Sequence, residues 1–458
     1  MNIEQVKSVY FVGAGGIGMS NLERYFLTKK MKVAGYDRTK SELTNQLTKE
    51  GAELHFKDDV SLIPEYCLNT QETLVVYTPA IPDSHSELTY FREHGFSVMK
   101  RAQVLGQITL ASKGLCISGT HGKTTTSSML AHILKQSAVE CNAFLGGILK
   151  NYNSNLILSE SSPYTVIEAD EYDRSFHWLH PYMAVITAID ADHLDIYGTK
   201  EEVVKSFEHF TSLMQPNGVL LIKSGLELQI QAESSVKVYH YSMENEGDFH
   251  ADNIRIGGGE IVFDFVTPEK TITDIQLGVP VKINIENGVA AMALAYLCGA
   301  TDEEIRKAMA SFKGAKRRFD LQVKKENVVY IDDYAHHPAE LKACIESVRA
   351  LYPTKKITGV FQPHLFSRTR DFAEEFAHSL SLLDEVILLE IYPAREEPIP
   401  GVTSKIILDK IESPEKILCQ EDELLGLIEN RELDVLITIG AGNIDKFIVP
   451  IRSILEKR

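Results

Sequence analysis

The sequence has no C-x-x-C pair; its six cysteines, Cys67, Cys116, Cys141, Cys298, Cys344 and Cys419, are scattered along the chain. That argues against both a disulfide framework and a cysteine zinc site. No segment approaches the ~18 consecutive apolar residues that a membrane-spanning helix requires. Basic charge is scarce: 47 Lys and Arg stand against 64 Asp and Glu, a formal net charge of −17. A broad basic face for nucleic acid or an anionic membrane is therefore not expected, and any phosphate must be held by local devices. There is no internal repeat and no low-complexity tract. The opening "MNIEQVKSVYFVGAG" has one lysine and a short apolar run that enters a glycine turn. It reads as a first β-strand, without the long apolar region of a signal peptide, and a cytoplasmic protein is expected.

A chain of 458 residues exceeds one ordinary core, and roughly three domains are the expectation. Short β-branched runs alternate with longer amphipathic segments, the pattern of parallel sheets covered by helices. Strand candidates are "VYFVG", "TLVVYT", "LCISG", "YTVIEA", "AVITAI", "GVLLIK", "VVYID", "ITGVFQ", "EVILLE" and "VLITIG". They fall into three groups, divided near "RAQVLGQITLASKG" and "SFKGAKRRFDLQ". The expected boundaries are 1–107, 108–313 and 314–458. The stretch from about Ser224 to Pro280, with alternating runs such as "GEIVFDFV", reads as an antiparallel elaboration of the middle domain.

Two glycine-rich turns carry the chemistry. In "YFVGAGGIGMS", Gly13, Gly15 and Gly18 have G-x-G-x-x-G spacing, and Asp37 follows about twenty residues later. The glycines permit close backbone approach and the next helix offers its first N–H groups, which identifies an anion site without saying whose phosphate it holds. In "LCISGTHGKTTTSSMLAHIL", a strand runs into Gly119, Thr120, His121, Gly122 and Lys123, and Thr124 and Thr125 open a helix. This is a shortened P-loop: backbone N–H groups cradle phosphates, the lysine reaches the β/γ-phosphates and a threonine hydroxyl can ligate Mg²⁺, so an ATP site is expected. Hard Mg²⁺ prefers oxygen ligands. "VIEADEYDRSF", with Glu168, Asp170, Glu171 and Asp173, and "AIDADHLDIYG", with Asp190, Asp192, His193 and Asp195, offer them after strand-like runs.

"GTHGKTTT", "EADEYDRSF" and "DADHLDIYG", followed by "KRRFD", "DDYAHHPAE", "FQPHLFSRTRDF" and "YPAREEPIPG", resemble the Mur ligase family in order and over essentially the whole chain. The resemblance implies an α/β protein of three domains: an N-terminal Rossmann-like UDP-binding domain, a central P-loop ATPase-like domain and a C-terminal Rossmann-like domain. It further implies an ATP-dependent, amide-forming ligase that joins L-alanine to the lactyl carboxylate of UDP-N-acetylmuramate through an acyl phosphate, in cell-wall precursor synthesis. Gly15, Gly16, Ile17, Gly18, Met19, Ser20 and Asp37 would then hold the UDP-sugar, and no nicotinamide is involved.

By the same resemblance Lys123 contacts the phosphates, Thr124 and Glu168 hold one Mg²⁺, and His193 binds a second or orients a water on it. Asn284 and Asn287 in "NIENGVAA" lie near the adenine, and Arg318 in "KRRFD" reaches ATP. Tyr334, His336, His364 and Arg368 surround the incoming amino acid, where arginine neutralises its carboxylate and histidine contacts or deprotonates its ammonium. Of the adjacent His336 and His337, one functional and one structural residue is the expectation. Three positions depart from the family pattern: Ile283 stands where histidine is common, Leu365 where arginine is, and Asn443 where aspartate is. A monomer or weak homodimer is expected. The alternatives are a relative that attaches a whole tripeptide to the same sugar, disfavoured by "QPHLFSRTRD"; an NAD-dependent oxidoreductase, which leaves the ATP loop and acidic clusters idle; and a P-loop ATPase module, which leaves the first and last domains idle.

Overall fold

The run Ser8–Val12 is buried along its whole length, as a strand must be when helices cover both faces of its sheet. In the computed structural model, which describes residues 5–78, 81–190, 194–394, 396–413 and 415–458, it is β1. It pairs in parallel with β2 (Lys32–Tyr36) and β4 (Thr73–Tyr77). With β3 (Glu53–His55) and β5 (Ser97–Lys100) the sheet order is β3-β2-β1-β4-β5. Alternate β1 residues feed opposite cores: Val9 and Phe11 pack with Leu22 and Phe26, and Tyr10 and Val12 with Ala34, Val75 and Phe91.

The chain separates into two compact units, the first made of Met1–Ile148, Ser154–Tyr241 and Ala290–Thr301, the second of Leu149–Asn153, Ser242–Val289 and Asp302–Arg458. Besides the β1 sheet, the first unit holds β6 (Lys113–Ser118), β7 (Asn142–Leu149), β8 (Ser154–Ile157), β9 (Tyr164–Glu168), β10 (Met183–Ile186), β11 (Val219–Lys223) and β12 (Lys237–Ser242). They run in the order β12-β11-β10-β6-β9-β7-β8. β6 lies between β10 and β9, parallel to both.

The second unit contains an antiparallel meander, β13 (Phe249–Gly257), β14 (Glu260–Val266) and β15 (Thr271–Gln276), as the alternating pattern of that stretch implies. It also contains β16 (Asp320–Lys324), β17 (Val329–Asp333), β18 (Ile357–Phe361), β19 (Glu385–Leu389), β20 (Glu415–Cys419) and β21 (Val435–Ile439). Their order is β16-β17-β21-β18-β19-β20, with only β16 antiparallel to its neighbour. All ten strand candidates are strands. Among the described residues no helix is long and apolar enough to cross a membrane.

Parallel sheets of this kind present their loops at the C-terminal strand ends, where ligands bind. Gly13 to Ser20 follows β1, Gly119 to Thr124 follows β6, and Tyr334 to His337 follows β17. Register matters most at Gly35, opposite Phe11 in β1: a Cβ there would lie 2.4 Å from the Phe11 carbonyl oxygen. Backbone cannot yield as a side chain can, so Gly35→Ala is expected to destabilise the protein by roughly 1–3 kcal/mol. A thermal melt matching the wild type would show that β1 and β2 are not held this closely.

Candidate functional site

The first glycine turn is built by backbone. Gly13 and Ala14 donate to the Tyr36 carbonyl at 2.8 and 2.9 Å, and Gly15 donates to Asp37 Oδ2 at 2.6 Å. The other Asp37 oxygen accepts from the Thr39 N–H at 2.9 Å, so this carboxylate shapes the turn. The helix Ile17–Thr28 follows, with Gly16 as its N-cap and no side-chain cap, which leaves its first N–H groups without intrahelical acceptors. The Met19 and Ser20 side chains are buried and their N–H groups donate to the Gly16 carbonyl at 3.0 and 2.9 Å, so the N–H groups left to an anion here are those of Ile17 and Gly18; the Ile17 side chain lies outside the description. A Cβ on Gly16 would meet nothing nearer than Met19 Cγ at 3.8 Å, so this glycine is not required by packing.

The second turn is tighter. Gly119 has φ +132° and Gly122 φ +83°, conformations that favour glycine, and a Cβ on Gly119 would collide with Thr187 Oγ1 at 2.1 Å. Lys123 opens the helix Lys123–Gln136. Its ammonium donates to the Gly119 carbonyl at 2.7 Å and to Glu171 at 2.8 Å. The pair is out of water, with Lys123 14% and Glu171 1% exposed. Burial raises the Glu171 carboxyl above its ordinary pKa, against the pull of Lys123. Thr120 Oγ1 donates to Asp190 Oδ2 at 3.3 Å and accepts from the Asp190 N–H at 3.1 Å. His121 Nε2 lies 3.6 Å from the same carboxylate.

Thr124 Oγ1 donates to Glu168 Oε1 at 2.9 Å, and the Gly146 N–H donates to Glu168 Oε2 at 3.1 Å. A Cβ on Gly146 would strike that carboxylate at 2.4 Å; this close approach from β7 is one that sequence reasoning missed. Burial raises the Glu168 carboxyl above its ordinary range, opposed by Thr124 and Lys123. Two hard oxygen donors this close, one carrying a charge that burial penalises, fit a Mg²⁺ ion. Among the described residues no three His, Cys, Asp or Glu side chains form a metal cage. His193 lies outside the described residues.

In the second unit the strand ends gather the remaining residues. Asn287 Nδ2 donates to Asn284 Oδ1 at 3.1 Å and Asn284 Nδ2 to the Val279 carbonyl at 3.3 Å, both near the start of the helix Ile283–Leu297. Ile283 itself is exposed. Arg318 lies over the Tyr334 ring, 5.3 Å from its centroid, and among the described residues its guanidinium donates no hydrogen bond. The His336 ring lies 5.8 Å from Tyr334 and 6.0 Å from His364, with Nδ1 3.5 Å from Glu340. Burial, aided by Arg368, His364 and Arg318 and opposed by Glu340, pushes His336 down to about 4. Tyr334, His336, His364, Arg368 and Arg318 therefore form one cluster, with Glu340 as a member that sequence reasoning missed.

His337 has the other role: as N-cap of the helix Pro338–Leu351 its ring accepts from the Ala339 N–H at 3.4 Å. Arg370 is exposed and pairs with Asp371 at 2.7 Å. Leu365 adopts φ +71°, strained for a side chain of this kind. Asn443 accepts from Gln362 Nε2 at 2.8 Å, while Gln362 Oε1 accepts from the Ile444 N–H at 3.0 Å, so that amide pair fixes the turn after β21.

The sign of the His336 effect follows from its lowered pKa: the folded state binds fewer protons than the unfolded chain between pH 6.5 and about 4. Its contribution is present above pH 6.5 and is lost as pH falls through this window. In His336→Asn, stability measured by urea unfolding is expected to fall less steeply than in wild type between pH 6.5 and 4; parallel curves would show an ordinary imidazole.

Comparisons with known proteins bear on this geometry. Residues 8–113 match the family model described as Mur ligase family, catalytic domain, residues 117–295 the Mur ligase middle domain, and residues 317–442 the Mur ligase, glutamate ligase domain. The chain is 63% identical over 458 residues to a UDP-N-acetylmuramate–L-alanine ligase of Parabacteroides distasonis, covering 100% of this chain and 99% of the relative. It is 55% identical to one of Porphyromonas gingivalis, covering 98% and 99%. Among solved structures, a UDP-N-acetylmuramate–alanine ligase of Thermotoga maritima is 26% identical with TM-score 0.78, covering 98% of each chain. A murein peptide ligase of Psychrobacter arcticus, 19% identical with TM-score 0.63 and covering 97% and 98%, shares the fold.

Proposed function

Because the chain belongs to the Mur ligase family, we propose that it joins L-alanine to the lactyl carboxylate of UDP-N-acetylmuramate, with ATP converted to ADP and phosphate. The observation that carries this reading is the Lys123–Glu171 and Thr124–Glu168 arrangement beside the shortened P-loop. It is a phosphoryl-transfer site, and a dehydrogenase has no use for it. The full-length likeness to L-alanine ligases favours a single amino acid over a tripeptide as acceptor.

An amine does not displace oxide from a carboxylate at neutral pH, so the carboxylate must first acquire a leaving group. A lactyl oxygen attacks the γ-phosphorus, the bond to the β-bridging oxygen breaks, and an acyl phosphate and ADP result. The amine of alanine then adds to the acyl carbon, and the tetrahedral intermediate expels phosphate as the amide forms. In this reading the backbone N–H groups from His121 to Thr125 and that of Gly119 cradle the phosphates, the Thr120 N–H being held by the Ala188 carbonyl at 3.0 Å, and Lys123 neutralises charge on the transferring group. Thr124 and Glu168 would hold a Mg²⁺ ion, which when bound supplies Lewis-acid stabilisation of the phosphoryl oxygens; a second ion near His193 belongs to the same proposal. Asn284, Asn287 and Arg318 are assigned to ATP, and Gly15 to Ser20 with Asp37 to the UDP-sugar.

His336, neutral at pH 7 by its lowered pKa, can accept a hydrogen bond from the alanine ammonium and orient it for the loss of its proton. Arg368 offers a fork for the alanine carboxylate. Domain limits of 1–107, 108–313 and 314–458, a cytoplasmic location and a monomer or weak homodimer complete the proposal.

The test is phosphate release with Mg²⁺ and ATP: it should require both UDP-N-acetylmuramate and an amino acid, with L-alanine preferred over glycine, L-serine and a tripeptide. One methyl discriminates by roughly 1–3 kcal/mol, so glycine should be a weak substrate at high concentration. Tripeptide preference would move the protein to the alternative branch. A second expectation separates catalysis from stability. Lys123→Ala should abolish phosphate release while calorimetric binding of the UDP-sugar survives, and it should also destabilise the fold, because it strands the buried Glu171 carboxylate at a cost of about 3–5 kcal/mol. Adding Glu171→Gln should restore the melting temperature without restoring turnover. Recovery of activity in that double variant would remove Lys123 from the reaction.

A further inference from the structure

Arg101, the first residue of the helix Arg101–Ala111 after β5, has no place in the roles assigned above. Its side chain is exposed, yet the surrounding protein makes its charge costly and lowers its pKa, while the negative charges of Asp170 and Glu168 act in the opposite direction. The guanidinium lies against the first helix turn after the opening glycine loop: a Cβ on Gly18 would stand 2.7 Å from Arg101 Nε, 2.8 Å from Cζ and 3.1 Å from Nη1.

Among the described residues the Arg101 side chain makes no hydrogen bond and no ion pair. An arginine does not deprotonate in a protein, so five N–H donors have no protein acceptor among the described residues. The nearby carboxylates attract it without bonding to it. The adjoining helix start has Gly16 as an uncapped N-terminus and a glycine at position 18 that leaves room for the guanidinium plane. First-turn N–H groups and a guanidinium fork on one side of the same turn make a two-part receptor for a phosphate-bearing group.

We propose that Arg101 is a substrate-binding residue that grips the diphosphate of the UDP-sugar from beside the first helix turn after the glycine loop, and that Gly18 is a glycine to admit that guanidinium. The inference rests on the assignment of the first sheet to the UDP-sugar. The lactyl carboxylate is the competing anion. The diphosphate is favoured because the guanidinium touches the anion-binding turn directly and makes no bond on the Asp170 side.

The test is calorimetric binding of UDP, UDP-N-acetylglucosamine and UDP-N-acetylmuramate to the full chain and to Arg101→Ala, Arg101→Lys, Gly18→Ala and the Gly18→Ala/Arg101→Ala double variant. Arg101→Ala should weaken all three ligands by the same factor, about 10- to 100-fold for loss of hydrogen bonds between charged groups. Arg101→Lys, a point charge without the fork, should lie between. Gly18→Ala should weaken binding in the wild-type background, by displacing the guanidinium, and have little further effect once Arg101 is alanine. ATP affinity and melting temperature serve as controls and should not fall. A loss confined to UDP-N-acetylmuramate would assign Arg101 to the carboxylate and overturn the proposal, as would unchanged affinities or a Gly18→Ala effect that is equal in both backgrounds. Failure of the wild type to bind any of the three would instead remove the UDP-sugar from the first sheet.

Discussion

A lysine ammonium held out of water between one carbonyl and one carboxylate is the constraint on which the middle of this protein depends. Lys123 can be buried because Gly119 and Glu171 satisfy it, and Glu171 can remain a carboxylate because Lys123 faces it. Each needs further support. The backbone carbonyl of Glu171 accepts from the Tyr197 hydroxyl at 2.6 Å, and Tyr197 shares that hydroxyl with Ser206 at 3.3 Å. Gly119 offers its carbonyl only in a left-handed conformation that Thr187 would deny to any side chain. Buried ion pairs contribute little net stability but are costly to break, so such a pair fixes geometry more than it adds stability.

The same construction recurs at each parallel sheet, with different chemistry at the strand end. β1, β6 and β18 are buried along most or all of their length, so packing leaves them little freedom, and the residues proposed for the site are those that follow. After β1 those are backbone N–H groups shaped by Asp37. After β6 they are a lysine and a threonine, with Glu168 arriving from β9. After β17 and β18 they are Tyr334, His336, His364 and Arg368. Glycine marks each approach where backbone must come near a charged group, most plainly at Gly146 against Glu168.

Much of this was legible beforehand, for reasons that can be named. Ten strands were visible because runs such as "VLITIG" are β-branched and uninterrupted. β2, "KVAGY", was not, because Gly35 and Ala34 weaken its pattern for the sake of the close approach to β1. The P-loop was legible because its spacing is local. Which carboxylate of "EADEYDRSF" faces the lysine was not, since Glu168, Asp170 and Glu171 are equivalent in composition and only the turn after β9 aims them differently. The adjacent His336 and His337 read in sequence as one structural and one functional residue; the helix start makes His337 the cap, and the role of His336 is part of the proposal. Asn443 stood out as a departure from the family pattern, but its consequence was not legible because its partner, Gln362, is 81 residues away.

The adjacent Arg317 and Arg318 show how local strain turns two identical residues to different ends. Arg317 at φ +63° and Phe319 at φ +42° both sit in the left-handed region, at a cost of about 1–3 kcal/mol each. The strained backbone is held by carboxylates: the Arg317 N–H donates to Asp320 at 3.1 Å and the Phe319 N–H to Asp333 at 2.7 Å. Arg317 is thereby turned inward, where it donates to Asp332 at 3.2 Å and to the Gly440 carbonyl at 2.6 Å. Even with that cation beside it, burial pushes Asp332 up to about 6. Arg318, between the two strained residues, shares the ring of Tyr334 with Arg317, their guanidinium carbons 5.3 and 5.2 Å from the ring centroid, and among the described residues its guanidinium donates no hydrogen bond. In an acidic chain with few cations to deploy, a structural arginine is consumed so that its neighbour remains available to an anion.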